Sequence, residues 1–236
     1  MAIRSKRYRN LETKIEKKTA YTITEAVQKV KETANAKFDE TVDLAVNLGI
    51  DPKKQDQTVR GNVSLPFGSG KAIRILVITR GEKEKEAKDA GADYYGFEEY
   101  IAKIKEGWLD FDIVVATPDV MSELGKLGKI LGTKGLMPSP KTGTVTFDIA
   151  PTVKSLKAGR IQFKSDKTGN VHAIVGKASF TPDKLEKNIL AVISELQKIK
   201  PASVKGQFLR SVTLSASMGP GYRLDIKEIT ELARKE

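Results

Sequence analysis

The sequence predicts an α+β domain built from both chain ends, with a doubly wound α/β domain on a parallel sheet inserted into it. Three observations carry this. The middle of the chain alternates short continuous apolar runs with helical patterns, as a parallel sheet covered on both faces requires. The two ends instead alternate apolar and polar residues along each strand, the pattern of an antiparallel sheet with one wet face. Charge divides the same way: of 41 basic and 30 acidic side chains, residues 68 to 158 carry 14 and 13, leaving 27 and 17 for the two flanks.

In chain order, Tyr21 to Ala34 places Ile23, Ala26, Val27, Val30 and Ala34 at helical spacing behind Thr22 and Glu25 in capping-box register. ETVDLAVNLG then puts Val42, Leu44, Val46 and Leu48 on one strand face and Thr41, Asp43 and Asn47 on the other. In the middle, AIRILVIT and FDIVVATP read as buried strands, and GEKEKEAKDAGA, FEEYIAKIKEGW and DVMSELGKLGKIL as helices. RIQFKSD, VHAIVGKASF and FLRSVTLSASM return to alternating strands. Ahead of the last of these, Thr181 caps a helix with Pro182 in its first turn and Asp183 against its dipole. That helix buries Leu185, Ile189, Val192, Ile193, Leu196 and Ile199 before Pro201 stops it. The tail DIKEITELARKE reads as a short helical extension. Neither flank has enough elements for a core of its own, so the simplest architecture joins residues 1–67 with 159–236 and inserts 68–158. Such an insertion needs two neighbouring chain crossings, and Gly68, Gly70 and Gly159 supply hinge residues there.

With 236 residues and 39% hydrophobic content the chain can bury a sizeable core. The absence of cysteine excludes disulfides and thiolate metal sites, and a single histidine leaves little room for zinc sites or nucleophilic triads. No metal and no cofactor are expected, and on composition only catalysis by carboxylates or lysine stays open. GSGK at 68–71 lacks the phosphate-loop spacing and precedes a strand instead of following one, so it reads as a linker. GKLGKILGTKG has no dinucleotide fingerprint and follows a helix. His172, between Val171 and Ala173 in a strand, reads as a structural side chain. MAIRSKRYRN is basic like the start of a signal peptide, but the charged LETKIEKKTA stands where an apolar stretch would be needed. No apolar run approaches membrane-spanning length, and a cytosolic protein without a membrane partner is expected. A net charge of +11 favours a polyanionic partner.

FLRSVTLSASMGPG sends Ser211, Thr213, Ser215 and Ser217 to one side, then ends in Met218, Gly219 and Pro220. AKFDET adds Lys37, the ring of Phe38 and the hydroxyl of Thr41. Hydroxyls and backbone groups suit ribose 2′-OH contacts, and a ring or a thioether can support a base or sugar. The alternation fits equally well with Phe38 and Met218 as edges of the core and hydroxyls that merely face water. LGTKGLMPSPKTGTV, residues 131–145, leaves a similar choice between a phosphate cradle and a rigid loop that presents lysines. In GIDPKKQDQTVRG, Lys53, Lys54 and Arg60 flank a turn at Asp51-Pro52; they are either a second anionic contact or solvated loop charges.

GTKGLMPSPKTGTV resembles the signature of the ribosomal protein L-one family in its bacterial form. KFDETVDLAVNLGID, DQTVRGNVSLPFGSGK, GADYYGFEEYIAKI, FDIVVATPDVMSELGKLGKILG, AGRIQFKSDKTGNVHAIVGKASF and SVTLSASMGPGYRLD resemble it in order over nearly the whole chain. The resemblance implies a split α+β RNA-binding domain with an inserted Rossmann-like domain. It implies a non-catalytic constituent of the large ribosomal subunit that binds rRNA of the mobile stalk near the exit site. It further implies a role in releasing deacylated tRNA and in repressing translation of its own operon mRNA, as a monomer within cytoplasmic ribosomes. Carried over by position, the rRNA-binding residues are Lys37, Phe38, Thr41, Asp43, Asp166, Lys167, Ser211, Ser217, Met218 and Gly219. The resemblance also turns Lys53, Lys54 and Arg60 towards exit-site tRNA. It puts the 131–145 loop in the insert, away from the main RNA face, where Lys134 and Lys141 are available for a secondary anionic contact and packing of Leu136 and Met137 is the preferred reason for the motif. The sequence departs from the family at Thr133-Lys134, where proline then arginine is usual, at Ser139 for asparagine and at Ser217 for threonine. The alternative, a nucleotide-using enzyme built on the inserted domain, finds no nucleophile, base and oxyanion set in the sequence.

Overall fold

The computed structural model describes residues 5–12, 20–52, 54–81, 83–204 and 206–235. The chain divides into two compact units, Met1–Gly70 with Gly159–Glu236, and Lys71–Ala158. The first half of the discontinuous unit holds α1 (Lys6–Glu12), α2 (Ile23–Thr33), β1 (Thr41–Leu48) and β2 (Arg60–Ser64). The continuous unit follows with β3 (Ile75–Ile78), α3 (Lys83–Asp89), β4 (Tyr94–Gly96), α4 (Glu98–Lys105), β5 (Ile113–Ala116), α5 (Met121–Lys126), α6 (Gly128–Thr133) and α7 (Ile149–Lys157). The discontinuous unit then resumes with β6 (Arg160–Lys164), β7 (Asn170–Lys177), α8 (Pro182–Lys198), β8 (Leu209–Ala216), β9 (Gly221–Arg223) and α9 (Ile226–Lys235).

In the discontinuous unit, β7-β1-β8-β9 form an antiparallel four-stranded sheet and β2-β6 an antiparallel pair. Burial alternates strictly along β1, with Val42, Leu44, Val46 and Leu48 inward. They pack in one core with Val27 and Val30 of α2 and Ile189, Val192 and Leu196 of α8. The start of α2 is a capping box: the Thr22 hydroxyl accepts the Glu25 N–H at 3.2 Å and the Glu25 carboxylate accepts the Thr22 N–H at 3.3 Å. Thr181 stands at the cap position of α8 but its side chain makes no capping bond; Pro182 at the first helical position, which has no N–H to satisfy, is the start signal there.

The continuous unit is a parallel sheet in the order β4-β3-β5. All four residues of β3 are buried because its two faces meet different helices. Leu76 and Ile78 pack with Ile101, Ile104, Leu124 and Leu131 of α4 to α6, while Ile75 and Val77 pack with Ala87, Ile149, Val153 and Leu156 of α3 and α7. The segment DVMSELGKLGKIL is not one helix: it divides at Leu127 into α5 and α6, between two glycines that weaken helix propagation. β4, three half-buried residues, and α7 go beyond the sequence reading.

Gly68 and Gly159 touch. A Cβ on Gly159, whose φ of +105° suits glycine, would lie 2.3 Å from the Gly68 Cα. The Leu65 N–H donates to the Gly159 carbonyl at 3.3 Å. Asn188, wholly buried on α8, ties the departing strand down: its Nδ2 donates to the carbonyls of Gly68 at 3.0 Å and Val175 at 2.7 Å, and its Oδ1 accepts the Phe67 N–H at 3.2 Å. Among the described residues no helix is long and apolar enough to cross a membrane.

Candidate RNA-binding face

Helices cover one side of the four-stranded sheet, and on its other side the outward positions are exposed or half-buried. Register places Asp43 between Ile174 and Ser215, Ala45 between His172 and Thr213, and Asn47 between Asn170 and Ser211. The residues named from sequence fall mainly at the two ends of β1, six residues or ~20 Å apart from Thr41 to Asn47. His172, read from sequence as structural, is exposed on this face because Val171 and Ala173 take the inward positions.

At the Thr41 end, Lys37 and Phe38 on one turn adjoin Ser217, Met218 and Gly219 on another. Phe38 is 56% and Met218 51% exposed, so neither is an edge of the core. The Ser217 hydroxyl accepts the Thr41 N–H at 3.1 Å and donates to the Thr41 carbonyl at 3.2 Å, which also takes the Ser217 N–H at 2.9 Å. Lys177 Nζ donates to Thr41 Oγ1 at 2.8 Å. Glu40, only 1% exposed, accepts the N–H of Ala36 on one oxygen and of Met218 on the other, each at 2.9 Å. Arg7 of α1 spans the same turns, donating to Asn35 Oδ1 and to the Met218 carbonyl.

At the other end, Asp166 closes the tip of the β6–β7 hairpin. Its carboxylate accepts the Asn170 N–H at 2.7 Å and the Thr168 hydroxyl and N–H at 2.8 Å each. These bonds, the Asn170 amide foremost, hold its pKa down at about 2. Asn170 Oδ1 in turn accepts from Asn47 Nδ2 at 2.6 Å, linking the tip to β1 beside Ser211. Lys167 is exposed at the tip. Asp43 lies between the two ends; burial raises its carboxyl above the ordinary range while His172 and Lys177 pull it back.

The remaining named residues lie elsewhere. Lys53 falls outside the described residues. Lys54 is exposed in a turn, its N–H donating to the Asp51 carbonyl at 3.1 Å, and Arg60 opens β2 opposite Lys164, in the other sheet. In the continuous unit, exposed Lys134 follows α6, and the chain leaves through Gly135 at φ +72° with the Leu136 N–H returning to the Leu131 carbonyl at 2.9 Å. Leu136 and Met137 pack against the helical core of that unit. Thr142 and Thr144 donate to the Ser139 carbonyl, and the Ser139 N–H donates to Thr144 Oγ1, so the polar groups of this loop brace the turn that contains Lys141. Lys71 of the GSGK stretch pairs with Asp112 at 2.6 Å.

Glu40, Lys177 and the Asn47–Asn170 link are organising residues that the sequence reading missed. One signal for Glu40 was present: it stands in phase with the inward Val42, Leu44 and Val46. A family model described as the Ribosomal protein L1p/L10e family matches residues 30–220, a span containing both ends of the face.

Proposed function

The chain belongs to the ribosomal protein L1p/L10e family, and from this we propose a specific division of labour between its parts. Membership makes it a structural, non-enzymatic protein of the large ribosomal subunit that binds ribosomal RNA. In our reading the RNA is that of the mobile stalk near the exit site, and it lies on the open face of the four-stranded sheet. The observation that carries this is the pair of exposed apolar side chains, Phe38 and Met218, beside a hydroxyl row on a basic protein. The hydroxyls and backbone groups read ribose and shape, and the ring and thioether support a base or sugar. Lys37 and Lys167 add phosphate attraction at the two ends of the face.

A second, weaker surface handles the outgoing deacylated tRNA. Lys53, Lys54 and Arg60 are its basic groups, and Lys134 and Lys141 of the inserted domain offer a secondary anionic contact. The same open face, occupied by a similar structure in the protein's own operon mRNA, would repress translation when free rRNA is scarce. These activities place the working protein on the cytoplasmic ribosome.

The test is binding by the discontinuous domain alone. With residue 67 joined to residue 159 by a short linker, the protein should keep salt-dependent, specific binding to a stalk RNA fragment. Folded protein that binds this fragment no better than an unrelated RNA would show that the face is wrongly placed.

A further inference from the structure

We propose that Glu40 is a positioning residue that sets the specificity of the RNA face, by holding the Lys37–Phe38 turn and the Met218–Gly219 turn as one recognition unit. This rests on the function proposed above. Residues 35–39 belong to neither α2 nor β1, so strand register does not place them. Glu40 does: its two oxygens take the N–H of Ala36 and the N–H of Met218, which is 178 residues away in sequence, and its own carbonyl accepts the Ala178 N–H at 2.8 Å.

Burying a carboxylate is costly unless its oxygens are satisfied, and bonds from N–H groups to an ionised acceptor are stronger than neutral ones. The Glu40 clamp therefore has one well-defined geometry, with Arg7 bridging the same two segments. A buried acid cannot itself gain from RNA phosphates. Any effect of Glu40 on binding must pass through the turns it holds, and it should fall on specific recognition, because non-specific binding is governed by charge.

Glu40→Gln tests this. The two N–H groups meet different carboxylate oxygens, so the single amide oxygen of glutamine serves one of them and the new NH2 faces the other donor. We expect at least a tenfold loss of affinity for the stalk RNA fragment, an unchanged salt slope, and unchanged affinity for an unrelated RNA. The variant should cost little more once Phe38→Ala and Met218→Ala are both present, since it acts through the two turns that carry these side chains. Phe38→Ala and Met218→Ala calibrate the face, and Ile189→Val loosens the core without touching either turn. If the calibrating variants bind weakly and Glu40→Gln stays within twofold of the parent, the inference is overturned and the RNA face stands. If Ile189→Val loses as much specificity as Glu40→Gln, the effect is general loosening, and the inference is overturned too. If Phe38→Ala and Met218→Ala are silent, the face itself is misplaced, and a loss in Glu40→Gln does not act through these turns. Should Glu40→Gln not fold, Glu40→Asp, which withdraws both oxygens by one methylene, is read by the same criteria.

Discussion

Thr41→Val separates a hydroxyl that meets RNA from one that serves only the protein. A threonine hydroxyl has one proton to donate and two lone pairs, and a lysine ammonium can only donate. Since Lys177 Nζ lies 2.8 Å from Thr41 Oγ1, it must be the donor, which leaves the Thr41 proton free to point at an RNA acceptor. The Ser217 hydroxyl, by contrast, already accepts from and donates to the Thr41 backbone. Removing the Thr41 hydroxyl leaves an RNA acceptor unpaired in the complex, at about 1–3 kcal/mol, or roughly a 5- to 150-fold weaker Kd. Ser217→Ala should lose less. Titration of labelled stalk RNA at several salt concentrations reads both, and the slope should not change because no phosphate contact is lost. Thr41→Ser, which keeps the hydroxyl, should bind within about threefold of the parent, a difference of under 1 kcal/mol. Equal losses in Thr41→Ser and Thr41→Val would refute the hydrogen-bond account, as would a loss below twofold in Thr41→Val.

Asn188→Leu keeps the branched four-atom skeleton of the side chain but orphans the Val175 carbonyl in the core and the Phe67 and Gly68 groups nearer the surface. Chemical denaturation should show about 2–4 kcal/mol of lost stability, and a loss under about 1 kcal/mol would mean that solvent replaces the clamp. Asp166 is depressed from 3.8 to about 2 in the folded protein, so its contribution is full above the ordinary carboxyl range and is lost as pH falls through about 2. Amide-exchange protection at Thr168 and Asn170 should therefore fall between roughly pH 4 and pH 2, and Asp166→Asn should abolish that dependence; a flat profile in the parent would contradict the bonding described. Replacing Lys53, Lys54 and Arg60 by glutamine should leave stalk-RNA binding within about threefold, under 1 kcal/mol, while weakening tRNA contact in whole ribosomes. Collapse of stalk-RNA affinity with normal exit-site occupancy would assign the cluster to the primary face.

The fold was legible where a period was long enough to read. Eight residues of β1 alternate without a break, and α8 repeats its apolar positions over seventeen residues. β4 was not legible, because three half-buried residues carry neither alternation nor a continuous apolar run. The break between α5 and α6 was masked because apolar spacing continues through Leu127 while the backbone does not. In the site, exposed hydroxyls could be read from alternation, but whether Phe38 and Met218 were edges of the core could not. Their exposure depends on two turns, far apart in the chain, that the Glu40 carboxylate and the Arg7 guanidinium tie together. Long-range hydrogen bonds of this kind leave no local period.

The position of the insertion explains how one chain can carry a second domain without disturbing this face. β2 and β6 pair antiparallel from Arg60↔Lys164 to Ser64↔Arg160, so the insert leaves and returns at one end of a two-stranded ladder. Without it, the pair would be a hairpin closed by a short loop. Most of the proposed RNA face belongs to the other sheet, whose strands β7, β1, β8 and β9 share no ladder with β2 or β6; Asp166 and Lys167 stand where β6 turns into β7, next to a single bridge from Ser165 to Val171. The two sheets are joined through the common core, where Val63 and Phe163 meet the side chains of β1 and α8, and through Asn188 at the crossing. A change in the insert therefore reaches the RNA face by way of a packed core, one buried amide and β6 itself, which runs on into the turn of Asp166 and Lys167. Each of these holds a single geometry, so we expect binding of the stalk RNA to be insensitive to substitutions inside residues 71–158 that leave the crossing intact.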